Sequence, residues 1–192
     1  MISSLPSPDF HVEEGCDPVH ALRRATQSLH HLLDQQLPLA RPDAGVSDYL
    51  DHVRVLRGWL LALTPLLQPC GWGLGYLQAL DADLPEAEQE RPPAGPALPR
   101  HDPAFALGVA YVVEGAQLGG QVLLRRLRQA GVDHALHYLQ GRGEATGPHW
   151  RAFLQLLRAR LTRAEDIASA CRGACWAFDD VLGRFRQSGL LR

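Results

Sequence analysis

Asp102-Pro-Ala-Phe-Ala-Leu-Gly108-Val-Ala-Tyr111-Val-Val-Glu114-Gly115-Ala-Gln-Leu118-Gly119-Gly120-Gln-Val-Leu-Leu-Arg-Arg-Leu-Arg-Gln-Ala-Gly131 reads as one long helix. The Asp102 side chain can cap free backbone amides and Pro103 fits the first helical position. Gly131 is a natural stop, so the helix is expected from about Ala104 to Ala130. Within it lie Gly108, Gly115, Gly119 and Gly120. Each costs about 1 kcal/mol against alanine in a helix interior, so the cluster needs a compensating use. Gly108, Gly115 and Gly119 are seven and four residues apart and share one face. That face admits either close helix packing or the close approach of backbone to a flat ligand, with Gly119-Gly120 allowing a kink.

The same capping grammar recurs at Asp17-Pro18, followed by Leu22, Ala25, Leu29, Leu32 and Leu33 at the spacing of one helical face, up to Pro38. A second helix is expected after Ser47, burying Leu50, Val53, Leu56, Leu60 and Leu63 until Pro65 disturbs it. Cys70 to Gly75 reads as a loop, Tyr76 to Leu84 as a short helix and Pro85 to Pro99 as a proline-rich connector. After a loop around Gly141 to Gly147, Pro148 opens a helix through Leu161. Thr162-Arg-Ala-Glu165 has the form of a capping box for a last helix toward Arg186. With no period-two strand and no internal repeat, the fold class is all-α. A single domain is expected over 17–187, between an N-terminal extension (1–16) and a C-terminal tail (188–192).

A length of 192 residues, 46% hydrophobic and 21% charged with net charge -2, suits one well-buried core and suggests neither disorder nor nucleic-acid binding. The first residues, Met1 to Pro8, lack a basic region followed by an apolar one. The most apolar run, Trp59 to Leu67, is interrupted by Thr64 and Pro65 and is shorter than a bilayer span. No membrane association and a cytoplasmic location are expected. Cys16, Cys70, Cys171 and Cys175 lack zinc-site spacing and read as buried free thiols.

Chemistry concentrates on the first helix. His30 lies on or near its apolar stripe, and Asp34, one turn on, can accept the ring's second N–H, fix its tautomer and raise its basicity. His31 leaves the helix about 100° away and reads as surface. Trp176 and Phe178 read as core.

The run Leu22-Arg-Arg-Ala25-Thr26-Gln-Ser-Leu-His30-His-Leu-Leu-Asp34 resembles the proximal helix of heme oxygenases, and Tyr111-Val-Val-Glu114-Gly115-Ala-Gln-Leu118-Gly119-Gly120 resembles the distal helix of the bacterial, biliverdin-producing branch. Phe153-Leu-Gln-Leu-Leu-Arg158-Ala-Arg160 is similar to the helix that carries basic residues toward the heme propionates. The resemblance implies a helical bundle with heme, both cofactor and substrate, between proximal and distal helices. His30 would be the axial ligand of the heme iron and Asp34 its supporting carboxylate. Gly115, Gly119 and Gly120 would line the reaction space, and Arg23 and Arg158 would meet the propionates.

A neutral imidazole ligand lets ferrous iron bind O₂, and no histidine between Ala104 and Gly131 could act as a peroxidase-like acid. Ring opening would give biliverdin, CO and Fe²⁺. Electrons would come from an external reductase or ferredoxin, and a biliverdin acceptor would follow. Arg125, Arg126 and Arg128 read as a polar face or as a docking surface for an acidic donor. One position departs from the pattern: Ala116 stands where the branch often has Ser, and alanine has no hydrogen-bonding side chain. Two other readings share these residues, a heme-sequestering protein on the same scaffold and a helical interaction module whose glycines only pack helices.

Overall fold

The computed structural model describes residues 10, 12–89 and 102–191, and among them every regular element is helical. The all-α expectation holds. Pro18–Gln36 forms α1, whose N-cap Asp17 accepts hydrogen bonds from the amides of Val19 and His20 at 2.8 and 3.0 Å. Val46–Leu67 forms α2 and Tyr76–Asp83 forms α3. The long helix runs over Pro103–Gln129 (α4), with Asp102 accepting from the Phe105 amide at 2.8 Å. His137–Gln140 (α5), Thr146–Arg160 (α6) and Ala164–Gln187 (α7) complete the chain.

Three local expectations are corrected. Helix α2 starts at Val46 and runs through Pro65, which is exposed, to Leu67. The capping box at Thr162 does not form: Arg163 is the N-cap of α7, without a side-chain cap, and Glu165 turns to pair with the Arg163 guanidinium. The short α5 was not expected; it is entered through Leu136, held in the left-handed region (φ 52°) while its side chain is buried. Of the proline-rich connector, residues 90–99 lie outside the described residues.

Packing centres on α4 and α7. Residues 104–110 of α4 are all buried, and the two helices cross where each offers a glycine to the other's backbone. A Cβ on Gly108 would lie 1.9 Å from the Ala170 carbonyl oxygen, and one on Gly173 would lie 2.2 Å from that of Phe105. The Ser169 hydroxyl donates to Asp102 at 2.7 Å beside this crossing. By length and composition alone α4 could cross a membrane, yet half of its most apolar window is buried inside the fold.

Helix α1 lies along α7, with Leu22 fully buried and the Cys175 thiol donating to the Ala25 carbonyl at 3.4 Å. Trp59, Tyr49, Phe153 and Phe185 are the largest wholly buried side chains. Past α7 the chain folds back: Leu190 and Leu191 both donate to the Phe185 carbonyl, and Leu191 is buried. All four cysteines are free; Cys171 and Cys175 are buried, which pushes their thiols up to about 12 and about 11, and Cys16 and Cys70 are half-buried.

Candidate functional site on α1 and α4

The spacing of His30 and Asp34 delivers the geometry the sequence implied. One turn apart on α1, they meet at 2.9 Å between Nδ1 and a carboxylate oxygen, each side chain 61% exposed. An exposed pair of this kind adds little stability. Its effect is on orientation: with Nδ1–H donated to Asp34, the lone pair is on Nε2, the atom a metal can take. Phe178 of α7 stands edge-on to the imidazole, with ring centroids 6.1 Å apart at 62°. His31 points elsewhere, exposed and 2.9 Å from the Gln35 amide nitrogen.

The glycines of α4 do not share one fate. Gly108 belongs to the α7 crossing. A Cβ on Gly115 would touch the Trp150 ring of α6 at 3.6 Å, and one on Gly120 would touch Leu139 of α5 at 3.6 Å. Among the described residues, a Cβ on Gly119 would meet nothing within 4 Å. Gly108, Gly115 and Gly119 stand on one face, as their spacing implies, but a helix this long passes several neighbours along its axis, and among the described residues that face is left open at Gly119. Leu118 and Val122 flank the open glycine and are 37% and 40% exposed. These large apolar side chains, left uncovered beside a position without a side chain, make an open apolar strip.

Tyr111 ties this strip to α1. Burial raises its phenol pKa, and Arg23 and Thr26 of α1 act in the opposite direction through their contact with it. Arg23 is thus brought beside α4, about 10 Å along the helix axis from His30. Arg158 is placed differently: its Nε is 2.7 Å from Asp17, and Asp17 is about 20 Å along α1 from His30. The guanidinium holds the Asp17 carboxyl below its usual range. The structure therefore joins His30 with Asp34 and Arg23 with Tyr111, while Arg158 serves the N-cap of α1.

Several site neighbours were not singled out from sequence. Phe178 was read only as core, although it is the ring against His30. Tyr111 lies in the distal-helix motif, and its contact with Arg23 and Thr26 of α1 is visible only in the fold. Glu114 is buried beside Gly115, its carboxylate 2% exposed. It accepts from the Gly73 amide at 2.8 Å and the Tyr76 hydroxyl at 2.5 Å, and lies 3.0 Å from His149 Nε2. A lone acid in an apolar helix interior was the available signal. Ala116 is half-buried.

These residues fit a heme on observations of this fold. Among the described residues the His30 Nε2 has no partner, an apolar strip is uncovered around Gly119, and the same helix as the imidazole carries the Arg23 cation. No family model matches the chain. The fold is similar to the crystal structure of NO- and CO-bound heme oxygenase from Neisseria meningitidis, with a TM-score of 0.73, 22% identity and 93% and 94% of the two chains covered. The sequence is 39% identical over 129 residues to a heme oxygenase of Xanthomonas campestris pv. campestris, spanning 64% of this chain and 77% of that relative. Motif, fold and sequence likeness agree, and the chain belongs to the heme oxygenase family.

Proposed function

We propose that this chain cleaves heme oxidatively to biliverdin, CO and ferrous iron, taking O₂ and electrons from outside itself. The observation that carries the reading is the His30–Asp34 pair, which leaves Nε2 as the ligating atom. When bound, heme supplies both the iron that activates O₂ and the ring that is consumed. The chain's own residues bind and orient it. His30 would hold the heme iron through Nε2, its tautomer fixed by Asp34 and its ring walled by Phe178. The Leu118–Val122 strip covers an apolar face, and Gly119 keeps space open above it, with Gly115 and Gly120 as its neighbours.

Arg23, with Tyr111 beside it, would meet a propionate. Arg158, paired with Asp17 through Nε at 2.7 Å, is the second candidate anchor. Exposed Arg125 and Arg126 offer an acidic electron donor a cationic surface, whereas Arg128 is engaged by the carbonyls of Val132 and Ala135. The chemistry occurs in the cytoplasm, where reductant is at hand.

The test is to reconstitute the protein with heme, reduce it, admit O₂ with an electron source and chromatograph the product. Loss of the Soret band with recovery of biliverdin is expected. A persistent oxygenated complex with intact heme would mark a carrier and overturn the proposal.

A further inference from the structure

Glu114 is an expensive choice for a buried helix position. A carboxylate removed from water must be repaid in hydrogen bonds, and an apolar residue of similar volume would serve packing equally well. Asp83, also buried, has an ordinary explanation: it accepts from the amides of His137 and Tyr138 at 2.9 and 2.8 Å and so caps α5. Glu114 caps nothing. Its donors come from the Gly73 loop, from Tyr76 of α3 and from His149 of α6, so its bonds run between elements.

The neighbours continue the pattern. Trp150, adjacent to His149, rests on Gly115 and stands 5.4 Å from Tyr111, so two consecutive residues of α6 dock on two consecutive residues of α4. The His149 ring lies tilted by 40° against Trp72, with centroids 4.8 Å apart, next to the loop that donates to Glu114. At its other end α6 holds α1 through Arg158 and Asp17. One helix therefore grips both α1, which carries His30, and α4, which carries Gly119.

From this geometry we infer that Glu114 is a positioning residue, which with His149 fixes the height and rotation of the Gly115–Gly120 segment over the bound heme. The inference rests on the heme reading above. A bifurcated set of charge-assisted bonds is directional, and it stiffens a helix where three glycines would otherwise leave it compliant. Bonds of this kind fix where the segment lies relative to α6, which hydrophobic packing alone leaves free to slide.

The test uses carbon monoxide on the ferrous heme complex, because its infrared stretch reports the surroundings of the ligand without turnover. His149→Leu should shift or split the band, and Glu114→Gln should do the same, since its amide turns a donor toward donors. His149→Gln, which keeps a donor there, should restore the parental band. Thermal melting runs alongside. Unchanged band position and width in both His149→Leu and Glu114→Gln, whatever their melting temperatures, would overturn the inference. Should His149→Leu fail to fold, Tyr76→Phe removes a single donor and reads the same band, with the same two outcomes. If the parent protein takes up no heme at all, the functional reading has failed instead, and the two failures are told apart at the first spectrum.

Discussion

Two stretches of α4 spend glycine in opposite ways. At Gly108 the missing side chain lets the α7 backbone come closer than any Cβ would permit, with the Ala170 carbonyl 1.9 Å from where it would be. At Gly119, three turns on, the missing side chain lets nothing in: among the described residues no neighbouring element comes within 4 Å of where a Cβ would be, and flanking apolar side chains stay uncovered. The lesson is that a glycine pattern alone does not separate packing from binding. What separates them is whether a neighbour has taken the space.

The largest effect should come from Gly108→Ala. The obstructing atoms are backbone, so α4 and α7 must separate, at a cost on the order of 3 kcal/mol or more. For a chain of this size the thermal midpoint should fall by on the order of 10 °C, read by circular dichroism of the apoprotein. A parental midpoint would break the packing half of the comparison.

Acid should test the same half from the other side of α7. His52 is buried against Phe185 of α7, with ring centroids 5.2 Å apart, and its Nδ1 has no hydrogen-bond partner among the described residues. Burial alone lowers its pKa from 6.5 to about 4. Between these values the unfolded chain binds the extra proton. The His52 contribution is therefore fully present above pH 6.5 and is lost as pH falls, by roughly 3 kcal/mol near pH 4. Urea melts across this range should show the slope in the parent, and His52→Leu should lack that component.

Gly119→Leu should leave the apoprotein at least as stable as the parent, with a gain of up to about 1 kcal/mol, because the position is open and leucine favours helix. Heme affinity should fall at least about tenfold, equivalent to roughly 1.4 kcal/mol. A collapsed apoprotein with normal heme titration would reverse the assignment of the two stretches. The smallest effect is expected at Gly115→Ala. Its Cβ would make ordinary contact with Trp150, so the helix should gain at most about 1 kcal/mol.

How much of this was legible follows from where each contact's partner lies. The limits of α1 and α4 were written locally, in Asp17-Pro18 and Asp102-Pro103, and the structure places both caps there. His30 and Asp34 were legible for the same reason, since helical periodicity alone brings them together. The four-residue α5 carries no period to read. The fates of the glycines depend on α5, α6 and α7 passing by, and the donors to Glu114 come from residues 35 to 41 positions away, so neither leaves a local trace. At Thr162 the local signal was present and a competing ion pair, Arg163 with Glu165, displaced it.

The most direct test of the account is the iron–histidine vibration of the ferrous heme complex, compared among the parent, His30→Ala and His31→Ala. His30 and His31 leave α1 on different faces, and Asp34 orients only the first. The parent and His31→Ala should share one band, His30→Ala should lack it, and added imidazole should restore a histidine-like spectrum to the last. A band that survives in His30→Ala or disappears in His31→Ala would contradict the assignment of His30 as the axial ligand.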